Sequence, residues 1–288
     1  MLKEDTPHSN WKMSSAFNIS ILNIVSCFTL PNLNKNPRYL NEFKSNKKCN
    51  KKIDISFNNK KHDNFKKLDL TKHNITYSIK LREGNIFLKS KFYSGKINSE
   101  YAKFKIDDLG EESNYYIIKY LIKLIYSFWF LEKNILTLHA SGMVYNNKAY
   151  IFSGPSGSGK STILKKATEN YETINDETIL LEIKEKEIIA HPNPFYTNIS
   201  PNSIKKKVEK IFFIHHSSSY SCLKISKINA LKNILKNEFL MQDNMLKNKI
   251  IINKTFKLGL KLAKMVCFYN LFFTKNDLNY IINEEIKK

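Results

Sequence analysis

Apolar residues follow different rhythms along the chain, and each rhythm predicts a different kind of element. Between about 68 and 108, runs such as Ile75-Thr76-Tyr77-Ser78-Ile79 and Asn85-Ile86-Phe87-Leu88 are β-branched and aromatic. They predict short strands, with Glu83-Gly84-Asn85 as a turn between them. Over 112–131 the rhythm lengthens, and Tyr116, Ile117, Tyr120, Leu121, Leu124, Ile125 and Phe128 recur at helical spacing. This predicts a core helix whose apolar face needs no cofactor to explain it. Beyond it, Leu136–Tyr145 and Lys148–Phe152 read as two strands joined by Asn146-Asn147, the signature of a tight hairpin. Tyr171–Ile174 leads to Asn175-Asp176-Glu177, strands follow over Ile179–Ile183 and Ile211–Ile214, and 226–247 and 255–268 predict helices.

The N-terminal part is less regular. Residues 16–30 are apolar but interrupted by Asn18, Ser20, Asn23 and Ser26, too short and polar a run to span a bilayer. They read as strand or short core structure. The segment before them sets Lys3 and Lys12 against Glu4 and Asp5 and lacks the positive bias of a signal peptide. Residues 31–67, rich in Asn, Lys and Pro, are expected to form surface loops or a polar, flexible connection. The pattern as a whole predicts an α/β protein. An N-terminal β-containing region covers 1–110 and an α/β domain covers 111–288, a length that allows a sizeable core.

The net charge of +21 comes almost wholly from lysine, since Arg38 and Arg82 are the only arginines. Readers of nucleic acid favour the bidentate arginine fork, so nucleic acid is not the expected partner. The charge reads as solvated faces that attract acidic partners, or as the bias of an AT-rich genome. Cys27, Cys49, Cys222 and Cys267 are far apart and none has C-x-x-C spacing. The expectation is therefore no zinc site, no disulfide framework and a reduced, cytoplasmic setting without a membrane span.

The chemistry is concentrated in GPSGSGKST at 154–162, which fits G-x-x-x-x-G-K-[ST] at Gly154, Gly159, Lys160 and Ser161. Glycines at 154, 157 and 159 let the backbone curl with its N–H groups inward around a phosphate. Pro155, Ser156, Ser158 and Thr162 complete the loop, a strand enters it and a helix leaves it. Lys160 can reach the β- and γ-phosphates of ATP, and the Ser161 hydroxyl can ligate Mg²⁺.

Neighbouring residues narrow the choice among proteins with such a loop. Gly259 is the only glycine after Gly159, so the second glycine-rich signature of transport ATPases is missing. No arginine follows Arg82, which excludes the arginine-based monophosphate site of guanylate kinases. The nearest base-reading motif of a Ras-type GTPase, Thr274-Lys275-Asn276-Asp277, has Thr in place of Asn, and Phe256 stands where the Asp of a D-x-x-G switch ending at Gly259 should be. His139 lies 21 residues before Lys160, and Asp176-Glu177 follows it by 16–17.

With LHASGMVYNNKAYIFSGPSGSGKSTI followed by INDE, the chain resembles the HPr kinase/phosphorylase catalytic domain, a fold related to ATP-dependent phosphoenolpyruvate carboxykinase. The resemblance covers roughly 134–183 well. It implies an ATP- and Mg²⁺-dependent serine kinase acting on a hydroxyl, most simply Ser or Thr of a protein or peptide. It also implies roles: Lys160 on the β/γ-phosphates, Ser161 on Mg²⁺, Asp176 as the base or holder of the attacking hydroxyl and as a metal ligand, Glu177 as metal or water ligand, and His139 near the transferred phosphate. Family members form hexamers, and small relatives accompany peptide-modification systems. Three departures stand out: Pro155 replaces the usual Asp, the second acid is Glu177 rather than Asp, and the Arg-Gly-rich signature that engages HPr is missing. The resemblance therefore does not carry over HPr as acceptor or phosphorylase activity. A nucleotide-binding regulatory module without transfer, and a kinase of small-molecule hydroxyls, are the alternative readings. His215-His216 read as structural because adjacent strand residues face opposite ways. The Pro-rich loop His191–Tyr196 is a candidate acceptor-lining segment or a plain connection.

Overall fold

The computed structural model describes residues 17–22, 24–29, 43–61, 78–82, 84–242 and 249–286. The chain divides into two compact units, Met1–Ile122 and Lys123–Lys288. The division falls inside the long helix α1 (Glu111–Glu132), whereas the sequence reading puts a boundary just ahead of it.

The first unit holds a sheet of β1 (Phe17–Ile21), β2 (Ile24–Thr29), β3 (Lys51–Lys61), β4 (Ser78–Arg82), β5 (Asn85–Lys89), β6 (Tyr93–Ile97) and β7 (Tyr101–Asp108). Their order is β1-β2-β3-β7-β6-β5-β4, parallel at β2–β3 and β3–β7 and antiparallel elsewhere. Side chains of a strand alternate between faces, so Ile53 and Ile55 of β3, Leu88 of β5, Tyr93 and Ile97 of β6 and Ala102, Phe104 and Ile106 of β7 are buried together. The β4–β5 turn passes through Gly84 at φ +74°. The strand expected over 75–79 lies mostly outside the described residues.

Two expectations need correction here. Residues 31–67 are not loop throughout, because Lys51–Lys61 forms β3 in the middle of the sheet. Ile53, Ile55 and Phe57 carry the two-residue period, which the surrounding Asn and Lys obscured. Cys27 and Cys49 are joined as a disulfide across 22 residues, against the expectation of none. The parallel pairing of β2 with β3, in which Cys27 faces Lys52, brings Cys49 beside Cys27. Cys222 and Cys267 are free.

The second unit is mixed α/β. β8 (Ile135–Tyr145) and β9 (Lys148–Ser153) form the predicted hairpin, and Asn146 and Asn147 both take positive φ, as a mirror-image turn requires. Then come α2 (Lys160–Ala167), β10 (Thr173–Asn175), β11 (Thr178–Ile183), β12 (Ile188–His191), β13 (Lys206–His216) and β14 (Ser221–Lys224). α3 (Lys227–Asn237), α4 (Phe239–Gln242), α5 (Lys249–Met265) and β15 (Cys267–Phe273) follow, and short helical turns over 275–286 complete its described part. The helix expected over 255–268 thus starts earlier and gives way to β15. Part of the 226–247 prediction lies outside the described residues.

Strand pairings β8–β11, β11–β12, β12–β13, β13–β9 and β9–β8 close a circuit. β13 runs parallel to both β9 and β15, so these three strands end on the same side. The loop that follows β9 leaves the sheet at that end. Beneath it Phe152, Ile163, Leu164, Phe212, Ile214, Leu271 and Phe273 are buried in one cluster. Phe152 and Phe212 stack with ring centres 5.3 Å apart. Each buried ring contributes roughly 1.5–3 kcal/mol, so β9 and α2 are held firmly on either side of the loop between them. Among the described residues no helix is long and apolar enough to cross a membrane.

Candidate functional site

The glycine-rich segment 154–159 leaves β9 at its C-terminal end and turns into α2. Gly159 caps α2 with φ +101°, and a Cβ there would lie 2.7 Å from the Phe273 ring. Gly157 sits at φ +79°. Both conformations and the close approach require glycine. The result is a concave backbone turn at a helix N-terminus, where amide N–H groups and the helix dipole favour an anion. Ser158 is buried, and its hydroxyl has no hydrogen-bond partner.

Lys160 is 6% exposed, and its Nζ donates to the carbonyls of Gly154 (2.8 Å) and Pro155 (2.9 Å). Burial lowers its pKa, and the charge of Glu177 partly offsets that. The lysine thus spans the mouth of the loop on two carbonyls that a phosphate could replace. Ser161 is exposed in the first turn of α2, while Thr162 is half-buried. Pro155, Ser156 and Gly157 are exposed at the tip.

His139 is placed beside the loop by the β8–β9 hairpin. Ala140 pairs with Ser153, and the Ser153 hydroxyl donates to the His139 carbonyl at 3.0 Å. On its other side β8 pairs His139 with Thr178, the residue after the acidic pair. His139 Nε2 and Glu177 Oε2 are 3.6 Å apart. Burial pushes the Glu177 carboxyl up, but the His139 ring and the charges of Lys123 and Lys160 outweigh it and hold the group below the usual carboxylate range. His139, Lys160 and Glu177 therefore share one electrostatic neighbourhood.

Asp176 faces elsewhere. It is 2% exposed, and its carboxylate accepts the N–H groups of Thr197 (2.8 Å), Asn198 (2.7 Å) and Ile199 (3.0 Å). The sequence reading assigns this residue to the attacking hydroxyl. Three charge-assisted bonds to backbone instead make it the anchor of the 197–199 loop.

Two asparagines that the sequence reading did not single out hold the acidic turn. Asn175 Oδ1 accepts from the N–H groups of Glu177 (3.0 Å) and Thr178 (2.9 Å), and its amide donates to the Asn193 carbonyl. Asn193 in turn donates to the Thr178 carbonyl and accepts from Phe195 N–H, both at 2.9 Å. Both side chains are fully buried, so the turn that presents Glu177 is fixed rather than adaptable. The side chain of Asn two residues before Glu177 was the available signal, since Asx turns bond the backbone two residues on. The His191–Tyr196 loop takes part in this support: His191 is buried against Glu182 at 2.9 Å, and Phe195 packs edge-on to Tyr126.

His215 and His216 do face opposite ways. His215 stacks on Phe272, whereas exposed His216 donates from Nε2 to the Gly157 carbonyl at 2.7 Å. His216 thus touches the glycine-rich loop, a contact made because β13 runs parallel to β9 and overshoots it. Thr274-Lys275-Asn276-Asp277 is a capped helical turn in which Thr274 and Asp277 satisfy each other's N–H groups.

Among the described residues no group of three or more His, Cys, Asp or Glu could by itself hold a metal ion. Mg²⁺ bound with phosphates needs only one or two protein oxygens, so Ser161 and ionised Glu177 suit it in kind. Asp176 suits it less, because three backbone amides already take most of the acceptor capacity of its carboxylate.

No protein-family description matches the chain, and no curated protein matches it. Solved structures that match include the HPr(Ser) kinase/phosphatase from Coxiella burnetii, which covers 52% of this chain and 93% of its own at 12% identity and a TM-score of 0.31.

Proposed function

We propose that the second unit binds ATP with Mg²⁺ and transfers the γ-phosphate to a hydroxyl, that of a Ser or Thr on a protein or peptide. The observation that carries this reading is the grouping of Lys160, His139 and a Glu177 held ionised beside a glycine-rich helix N-terminus. Residues 154–162 would cradle the phosphates, with Lys160 leaving the Gly154 and Pro155 carbonyls for the β- and γ-oxygens. Mg²⁺, held by Ser161 and waters, would neutralise charge on the phosphates. Glu177 would accept a hydrogen bond from the acceptor hydroxyl and take its proton as the oxygen–phosphorus bond forms and ADP leaves. His139 would fix the Glu177 carboxylate. Phosphoryl transfer passes through a loose transition state, so an oriented weak base suffices. Asp176 would act at one remove, by fixing the 197–199 loop.

A second reading, binding without transfer, draws on the same Asp176: the acid matched to the hydroxyl is already occupied by three amides. One experiment separates the two. Purified protein, Mg²⁺ and γ-labelled ATP are mixed with a soluble extract of the source cells, beside a Lys160→Ala control. Label on a macromolecule that vanishes in the control supports the kinase and isolates its acceptor; label on a metabolite makes the acceptor a small molecule. ATP binding with no label transfer in any extract supports the binding module.

A further inference from the structure

The first unit carries a basic sheet face that phosphoryl transfer does not use. The register aligns Lys80, Phe87, Lys96 and Lys103 in one row across β4, β5, β6 and β7. The alternation that buries Leu88, Ile97, Phe104 and Ile106 on one side turns this row to the other. Arg82 and Lys89 stand two residues along from Lys80 and Phe87 on the same face, and Lys105 stands two along from Lys103. Lys80, Arg82, Lys89, Lys103 and Lys105 are exposed and Lys96 is half-buried. β4, β5 and β6 enclose a concavity of about 780 Å³ walled by Lys80, Arg82, Lys89 and Lys96 around Phe87, with no carboxylate in its described lining. The row meets an acid only at Asp54 of β3, whose carboxylate already lies 3.4 Å from Lys52.

We infer that this face docks an extended acidic polypeptide segment. Same-face cations repeat at about 6.6–6.8 Å along a strand, which is also the repeat of alternate side chains in an extended peptide. Alternate carboxylates of such a peptide can therefore each meet a cation. Single-stranded nucleic acid would need a series of rings to stack its bases, whereas Phe87 is the one exposed ring in the concavity and is 39% exposed. Apart from Arg82, the cations named on the face are lysines, which supply point charges rather than the planar fork that grips phosphate. Because the face belongs to the first unit, the inference is independent of the nucleotide site.

The test is fluorescence anisotropy of a labelled oligo-glutamate peptide with the full chain at low salt, without nucleotide. Three variants are compared: Lys80→Glu/Lys96→Glu/Lys103→Glu, its neutral counterpart with Gln at the same positions, and Lys224→Glu/Lys232→Glu/Lys257→Glu in the second unit. The first variant should weaken binding by at least about tenfold, the neutral one by less, and the second-unit one by no more than about twofold. Equal losses in the two charge-reversed variants would overturn the inference in favour of general attraction to the net charge. An oligothymidine of equal charge binding more tightly than the peptide would reassign the face to nucleic acid. No peptide binding at low salt would also overturn it.

Discussion

Replacing Asp176 by Asn tests the reassignment of the acidic pair. The carboxylate accepts three backbone N–H groups at 2.7–3.0 Å while only 2% exposed. An Asn can keep its oxygen where Asn198 and Ile199 donate, which turns its NH₂ toward the Thr197 N–H, donor against donor. One bond is lost and two lose their charge assistance. Hydrogen bonds to charged groups contribute about 1.5–3 kcal/mol each, so the expected destabilisation is about 2–4 kcal/mol. For a unit of this size that lowers Tm by about 5–15 °C. Hydrogen exchange locates the effect: the amides of Thr197, Asn198 and Ile199 should exchange faster while the β8–β11 ladder stays protected. ATP affinity should stay within about threefold, because these amides lie outside the glycine-rich loop. Unchanged melting and unchanged exchange at 197–199 would refute the anchoring role and return Asp176 to the acceptor hydroxyl.

Two further predictions concern stability and covalent state. Glu238 is 1% exposed, and burial pushes its carboxyl up to about 8, against a smaller opposing effect of the Met241 N–H and Lys123. The folded state thus keeps a proton that the unfolded chain releases above its ordinary pKa of 4.5, so stability should fall as pH rises from about 4.5 to about 8 and then level off. Glu238→Gln should flatten that decline in denaturant titrations across the range; an identical slope in the variant would refute it. Thiol titration of the denatured, unreduced protein should find two thiols, Cys222 and Cys267, rather than four.

The helix α1 and much of the second unit were legible in the sequence because their signals are local. The 3.6-residue rhythm marks α1, Asn146-Asn147 marks the β8–β9 turn, and the spacing of glycines marks the loop before α2. What escaped depends on long-range pairing. β15 is an aromatic run, Cys267–Phe273, inside a stretch read as helix, and only its pairing with β13 and β14 decides its form. β3 hides Ile53, Ile55 and Phe57 among lysines and asparagines until its neighbours β2 and β7 are in place. In the site, sequence placed His139, Lys160 and the acidic pair close together, but which acid faces the loop depends on a turn. Asn175 and Asn193 set that turn, pointing Asp176 at the 197–199 backbone and Glu177 at His139. The contact of His216 with Gly157 likewise needed the parallel overlap of β13 and β9.

The most direct test of the account is transfer of γ-labelled phosphate by Glu177→Gln, measured beside its ATP affinity. Gln keeps the size of the side chain but loses the charge paired with His139 and felt by Lys160. Transfer to acceptor should fall by about a hundred- to a thousandfold, with ATP affinity within about threefold of the unaltered protein. Transfer that survives the substitution would contradict the account.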